Sequence, residues 1–262
     1  VLPSNMSLAP VDYDFGVPAN YAFAETITCS NDEARKMYVE AFGHMLNYNH
    51  EQAIACFTKC AELDENCAMA WWGIAYCLSS SYNWSAGLGP GYDAISQAVA
   101  LKDHCSELEQ DLIMALSKRH TKEARDNANP AALNMGNSPE LNQAFADAMA
   151  PLYEKYKGNL DVTAIYVEAL MNLNPWTLWN KDAASGEITP VDDSTLMLIK
   201  IMEDAFENVP GAKEHPALCH LYCHALELSP YPERALPAAD VLRTLMPGCG
   251  HLVHMPSHID AW

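Results

Sequence analysis

Residues 50–78 read HEQAIACFTKCAELDENCAMAWWGIAYCL, and this stretch decides the fold. Its first half carries an apolar stripe with the 3.6-residue period of an amphipathic helix. The stripe consists of Ala53, Ile54, Phe57, Cys60, Ala61 and Leu63. The polar run Asp64–Asn66 interrupts it, and a second apolar run then extends from Ala68 to Leu78. The stretch therefore predicts two helices joined by a short turn.

The same succession of helical stripes and turns covers most of the chain, and no strand-like alternation of convincing length occurs. Asn31 before two acidic residues predicts a helix start, because asparagine caps helix N-termini. The predicted helices besides the two above are Ala34–Leu46, Tyr92–Lys102, Ser106–Arg125, Glu140–Tyr156, Val162–Leu173, Ser194–Glu207, Pro216–Leu228 and Pro232–Leu245. The sequence thus predicts an all-α fold of antiparallel helix pairs, with residues 1–30 as an extended N-terminal segment and residues 31–262 as one domain.

The composition excludes two classes of partner. The 262 residues include 15 Lys and Arg against 34 Asp and Glu, which gives a formal net charge of −19. Nucleic acids and anionic membrane surfaces attract clustered basic residues, so we expect neither as a partner. The longest apolar stretch, Ala68–Leu78, is too short to span a bilayer and contains Gly73, so membrane insertion is not expected either.

Two features favour a secreted or extracytoplasmic protein. The sequence begins with Val1 and not with Met, and Asn5 and Asn83 each begin a possible N-glycosylation sequon. The nine cysteines contain no Cys-x-x-Cys pair. Cys56/Cys60 and Cys219/Cys223 are spaced four residues apart, which predicts small apolar side chains packed between helices. Disulfides remain an alternative in a secreted protein.

Histidines near the end of the chain are the main candidates for chemistry. They are His215, His220, His224, His251, His254 and His258. His220 and His224 are four residues apart, which places them about 6 Å apart on one helix face and suits chelation of a metal. His254 and His258 repeat this spacing, with Pro256 marking a helix start near Met255. We therefore predict that these two pairs ligate one ion.

Two carboxylates are the candidates to complete this site. Glu168 has apolar neighbours on a predicted core helix, where an acidic residue is rarely left unpaired, so it is predicted as a further ligand or as a general base. Glu227 lies one turn beyond His224 and is predicted, together with His251, to support the ligands. Such a nitrogen and oxygen set suits Zn, Fe, Mn or Cu.

Three further residues have two interpretations each. His50 follows Asn49 at a helix start, so it either caps the helix or reaches the histidine group. Trp176 and Trp179 either belong to the core or form a pocket wall. Neither a phosphate-binding glycine loop nor the signature of a serine hydrolase or zincin metalloprotease occurs.

Several segments resemble the tetratricopeptide-repeat pattern. Ala53-x3-Phe57 followed by Ala68–Trp71 matches it closely, and Ala235-x3-Ala239 before Pro247 matches more loosely. The run Gly250–Ile259 (GHLVHMPSHI) resembles a motif of a bacterial family of such proteins whose function is not established. The same family is resembled by four other segments, which are residues 49–53, 67–76, 168–176 and 224–227. The resemblance implies a degenerate helical-repeat array.

The resemblance also carries expectations for individual residues. Family members place an asparagine near Asn83, which implies that its side chain faces the site and competes with glycosylation there. They often carry asparagine where this chain has Cys219, which implies either a missing amide or a thiol ligand for a soft metal. They also continue beyond Ile259, so the domain is expected to be truncated relative to the family.

Two functional hypotheses follow. The first is a metal-binding, and potentially catalytic, histidine site in a helical-repeat protein. The second is a tetratricopeptide-like module for binding a peptide or protein, in which the histidines are structural. We also expect self-association through the ends of the array, because a terminal repeat without a polar cap leaves apolar surface exposed.

Overall fold

The computed structural model describes residues 26–83, 90–127 and 138–261, and this part is almost entirely helical, as predicted. The α-helices are α1 Asp32–Leu46, α2 His50–Leu63, α3 Ala68–Cys77, α4 Pro90–Leu101, α5 Glu107–Leu116, α6 Lys122–Asp126, α7 Pro139–Lys155, α8 Leu160–Met171, α9 Asp193–Asn208, α10 Pro216–Leu226, α11 Leu236–Leu245, α12 Gly250–His254 and α13 Pro256–Asp260. Short 3-10 helices cover Lys102–His104, Ala212–Glu214 and Pro232–Ala235.

Helices that follow one another along the chain pack side by side. α1 packs against α2, α2 against α3 and α3 against α4, and the second half repeats this with α7 to α9 and with α10 and α11. α10 also contacts α8. Short turns join many of these helices, which is the arrangement predicted for antiparallel pairs.

Two local features differ from the sequence-based expectation. The helix predicted at Ser106–Arg125 is two helices, because Thr121 has extended backbone and its hydroxyl caps α6 by accepting the backbone N–H of Ala124. A small antiparallel hairpin pairs β1 (Trp179–Lys181) with β2 (Ile188–Pro190). Strands of three residues are too short for their alternation to show in a sequence.

The predicted N-terminal segment lies mostly outside the described residues. Within its described end, residues 27–30 are not helical. Thr28 donates its backbone N–H to Glu109 at 2.7 Å, and Ser30 donates to Asp64 at 2.6 Å. The last residues of this segment are therefore attached to α5 and to the end of α2.

Two helices form the centre of the fold. Every residue of α8 from Asp161 to Met171 is buried, and so is α10 from Leu218 to Leu226. A helix that is apolar on all sides is buried on all sides. Polar residues on these helices, among them Glu168, His220 and His224, are consequently carried into the interior.

The cysteines behave as the packing interpretation predicts. All nine are free thiols, and seven of them are buried. None of the helices in the described residues has the length and hydrophobicity that crossing a bilayer requires.

Gly73→Ala is expected to lower the free energy of unfolding by about 1–2 kcal/mol. A Cβ at this position in α3 would lie 2.5 Å from the ring of Phe57, and such overpacking outweighs the helix-propensity gain of about 1 kcal/mol. Urea denaturation measures the change. Gly250→Ala is the matched control, because a Cβ there meets no atom within 4 Å. Equal stability of the two variants would contradict the packing of α3 on α2.

Acid is expected to destabilise the fold through His120. Burial, with a smaller contribution from Arg119, lowers the pKa of His120 from 6.5 to about 3. The unfolded chain therefore binds this proton near pH 6.5, whereas the folded chain binds it only near pH 3. His120 thus contributes stability in full above pH 6.5, and this stability is lost progressively as the pH falls towards 3.

The expected loss between pH 6.5 and 5 is roughly 1.5 kcal/mol for this one residue. Urea denaturation at several pH values measures it. His120→Gln should flatten the pH dependence, whereas the same substitution at the exposed His104 should leave it unchanged. An unaltered slope in His120→Gln would contradict the assignment.

Candidate metal centre

α10 places two imidazoles side by side in the interior. The ring centroids of His220 and His224 lie 4.8 Å apart, and these residues are 1% and 2% exposed. Their four-residue spacing puts them on one face of the helix, as predicted. Both rings enter the core because α10 is buried on all sides.

A third imidazole completes a group of three. His251, in the first turn of α12, has its Nε2 3.1 Å from Nε2 of His220. Its backbone N–H donates to Oδ1 of Asn47 at 2.8 Å, which anchors α12 to the end of α1. One nitrogen from each of His220, His224 and His251 is thus close enough to the others for a single ion. His251 was predicted as a supporting residue, and the structure brings its ring into the group of possible ligands with His220 and His224.

Asn83 lies in the middle of these three rings. Its Nδ2 is 3.2 Å from Nε2 of His220, 2.8 Å from that of His224 and 3.0 Å from that of His251. Its Oδ1 is buried and has no hydrogen-bond partner among the described residues. The amide faces the site, as the resemblance implied. A glycan on Asn83 would replace an N–H that contacts these imidazoles.

Glu227 supports the group from the side opposite Asn83. His224 donates its Nδ1–H to Oε1 of Glu227 at 2.7 Å, and His258 contacts Oε2 through Nδ1 at 2.5 Å. Burial acts to raise the pKa of Glu227, but the hydrogen bonds from the two histidines outweigh it and lower the pKa. The carboxylate is therefore ionised, and it fixes His224 in the tautomer whose Nε2 carries a lone pair.

The protons of this group cannot be arranged without a repulsive contact. Because Nε2 of His224 is an acceptor, the amide must present its NH₂ group to it. The Nε2 atoms of His220 and His251 face each other at 3.1 Å, so one of them must carry a proton. This imidazole N–H and the amide N–H then both point at the lone pair of the other ring, with the two donor nitrogens only 3.0 or 3.2 Å apart. If neither is protonated, two lone pairs oppose each other.

The imidazoles are neutral at physiological pH. Burial, followed by the neighbouring histidines, lowers the pKa of His251 to about 4 and that of His220 well below its usual value. Burial also lowers the pKa of His224, although Glu227 acts in the opposite direction. Neutral imidazole is the form that binds metals.

The outer histidines extend the group towards the surface. Nε2 of His258 lies 3.0 Å from Nε2 of His254, and His254 is exposed. Nδ1 of His254 in turn meets the hydroxyl of Ser257 at 3.2 Å. His258 also packs against His224, with ring centroids 5.1 Å apart, and His224, Glu227 and His258 form a second group of possible ion ligands in the described residues. The role of His254 and His258 as ligands of the same ion as His220 stays a prediction.

Glu168 belongs to a different part of the interior. Tyr48 donates its hydroxyl to Oε1 at 3.0 Å, and Tyr76 donates to Oε2. In the described residues, Glu168 belongs to none of the groups that could hold an ion. The two phenols are thus the partners that this buried carboxylate has in the structure, and the role of Glu168 as a metal ligand stays a prediction.

Two residues with unusual backbone hold aromatic rings against the histidines. Tyr48 and Trp176 have φ angles of 55° and 61°, and they are the only non-glycine residues with positive φ in the described part of the chain. The Tyr48 ring lies 5.0 Å from the rings of His220 and His251, and the Trp176 ring lies 5.6 Å from that of His224. Side chains in this conformation are strained, and such strain is concentrated at functional sites.

The aromatic contacts show where the residues with two interpretations lie. Trp176 is 51% exposed and stacks on Tyr82, so it does not belong to the core. Trp179 is partly buried and donates its ring N–H to the carbonyl of Ala225 in α10 at 2.7 Å. His50 is buried at the start of α2 and packs edge-on against Tyr48.

Other candidate residues lie outside the group formed by His220, His224 and His251. His215 caps α10 by accepting the backbone N–H of Leu218, and its Nε2 lies 3.3 Å from Asp161. The thiol of Cys219 contacts the carbonyl of Lys213 and is absent from the possible ion-binding groups of the described chain. Glu40, His44 and Cys56 form a further buried group of potential ligands that sequence reasoning missed.

Comparison with protein-family models, with curated proteins and with solved structures found no match.

Proposed function

We propose that this chain binds one divalent transition metal ion through His220, His224 and His251. The observation that carries the proposal is the convergence of three Nε2 atoms and the Asn83 amide, in which every placement of protons leaves two donors competing for one imidazole lone pair or two lone pairs opposed. A cation bound between the three imidazoles would accept one nitrogen lone pair from each of them. Glu227 would then have the role that carboxylates commonly have behind metal-bound histidines.

The donor set indicates which metals are suitable. Three neutral imidazoles without a carboxylate favour zinc or copper, whereas manganese prefers oxygen ligands and non-haem iron sites typically add a carboxylate. Since Glu168 is not among the three proposed ligands, iron and manganese become less suitable than the sequence alone implied. The Nδ2 of Asn83 faces the three Nε2 atoms, so its amide would have to turn over before its oxygen could act as a fourth donor.

The arrangement is typical of catalytic centres and not of structural ones. Structural zinc sites use four protein ligands, commonly cysteines, whereas catalytic sites use three and keep a position for water or substrate. A cavity borders His220, and strained aromatic residues flank the group. We propose that the metal acts there as a Lewis acid or as a redox centre.

Metal titration of the tag-free protein tests the proposal. After removal of metals with a chelator, one equivalent of Zn²⁺ or Cu²⁺ is expected to bind, and Cu²⁺ should give an electron paramagnetic resonance spectrum with nitrogen hyperfine coupling. Bound metal should also raise the melting temperature. A stripped protein that takes up neither ion stoichiometrically would reject the metal centre.

A further inference from the structure

A cavity of about 50 Å³ lies next to the histidine group, between α1, α3, α8 and α10. Its wall is mostly apolar and includes Phe42, Met45, Ile165 and Leu221. His220 borders it, so a molecule in the cavity lies against one of the proposed metal ligands. At 10–15 Å³ for each water, the space accepts a ligand of roughly four non-hydrogen atoms.

The polar groups that line this cavity are two carboxylates, two phenols, two imidazoles and one hydroxyl. Both phenols, those of Tyr48 and Tyr76, already donate to Glu168. Glu168 and Asp161 both contribute to its wall. The hydroxyl of Ser81 also lines it, and this buried oxygen has no hydrogen-bond partner among the described residues. Ser81 is only 8% exposed, so bulk water does not satisfy it. A carboxylate has about four acceptor sites, so Glu168 can accept further hydrogen bonds beside the two from the phenols, and the Ser81 oxygen can accept one as well.

The charged side chains that line the cavity are carboxylates. No lysine or arginine of the described chain lines it, whereas two carboxylates do. The guanidinium of Arg119 acts on Glu168, but it is buried and donates to Oδ1 of Asn142 at 2.7 Å. The other carboxylate, that of Asp161, lies 3.3 Å from Nε2 of His215. Because two carboxylates and no basic side chain of the described chain line the cavity, a small cation inside it would be favourable.

The aromatic rings around Glu168 indicate an organic cation. Tyr48 and Tyr76 donate their hydroxyls to the carboxylate, and their rings line the cavity together with Phe42. Aromatic faces beside a carboxylate attract ammonium groups. Hard metal ions such as Ca²⁺ instead require six or more oxygen ligands, and this apolar wall offers too few.

We propose that this cavity binds a small primary alkylammonium ion, with Glu168 as its counter-ion and Ser81 as an additional acceptor. The alkyl chain would lie against the apolar wall formed by residues such as Ile165 and Leu221. The assignment of this ion as the substrate of the metal centre rests on the proposed function, whereas the binding itself does not.

Titration calorimetry of stripped and zinc-loaded protein, with alkylammonium ions from methyl to hexyl, tests the binding. The neutral alcohols of equal chain length are the matched ligands. We expect the ammonium ions to bind at least tenfold more tightly than the alcohols, with affinity rising to about three carbons and falling for longer chains. Absence of ammonium binding, or equal binding of alcohols, would overturn the proposal.

Two variants make the test specific. Glu168→Gln should abolish the preference for ammonium over alcohol without changing metal stoichiometry, whereas Glu51→Gln, at an exposed position of α2, should retain it. Ala217→Met narrows the cavity from α10 and should shift the optimum to shorter chains. This second variant keeps the proposal testable if Glu168→Gln fails to fold. An unchanged length optimum would count against the cavity as the binding site.

A separate measurement tests whether the bound ammonium ion lies next to the metal centre. In copper-loaded protein, a bound ammonium ion should alter the electron paramagnetic resonance spectrum, because the cavity borders His220. An unchanged spectrum would overturn the substrate role while leaving the metal centre intact. Ammonium binding by a protein that takes up no metal would reject the proposed function and leave the cation site standing.

Discussion

His224→Ala is expected to weaken zinc or copper binding by more than about a hundredfold. Loss of a group that only supports a ligand already costs tenfold to a hundredfold, and His224 supplies one of three converging nitrogens. The substitution also leaves Glu227 with His258 as its sole histidine partner, which removes the link between the carboxylate and the ion. Competition with a chromophoric chelator measures the affinity.

The exposed His104 provides the matched control for this experiment. His104→Ala removes the same chemical group from the surface and should bind metal like the parent protein. If both variants retain the parent affinity, the ion is bound elsewhere and the centre described above is rejected. Far-ultraviolet circular dichroism of both variants confirms that each remains helical.

Glu227→Gln is expected to weaken metal binding by tenfold to a hundredfold. A neutral amide no longer pairs as an anion with both Nδ1–H groups, so the tautomer of His224 and the basicity of its Nε2 are less well fixed. In free-energy terms the loss is about 1.4–2.7 kcal/mol.

The control for Glu227→Gln is Glu233→Gln, which changes the same charge at an exposed position. Parent-like affinity in both variants would mean that Glu227 does not act on the ligand. A loss of the same size in both would instead indicate a general effect of the protein's negative charge.

Much of the fold was predictable because its signals are local. The apolar stripe of residues 50–63 and the capping residue Asn31 each determine the structure within a few helical turns. The bounds of α2 and α1 therefore lie close to those predicted from these two signals. The break at Thr121 was missed because residues 117–125 contain neither a glycine nor a proline that would mark the end of a helix. The repeat character of the array and its self-association stay predictions.

The site was predictable only where it depends on spacing within one helix. His220, His224 and Glu227 were identified because three- and four-residue intervals place side chains on one face. Spacing within one helix could not show that His251 lies beside His220 and Glu168 beside two phenols, because packing between distant segments decides both positions. The positive φ of Tyr48 was not anticipated, because a tyrosine rarely adopts it.

The three proposed ligands and Asn83 come from segments that are far apart in the chain. Asn83 is 137 residues from His220, and His251 is 31 residues beyond it. An ion held by all of them would act as a cross-link that closes two long chain loops, as a disulfide does. Stacked helix pairs can unfold piecewise, but a cross-linked chain must release the ion first. In the loaded protein, the backbone amides of α3, α10 and α12 should therefore exchange with deuterium as one cooperative unit.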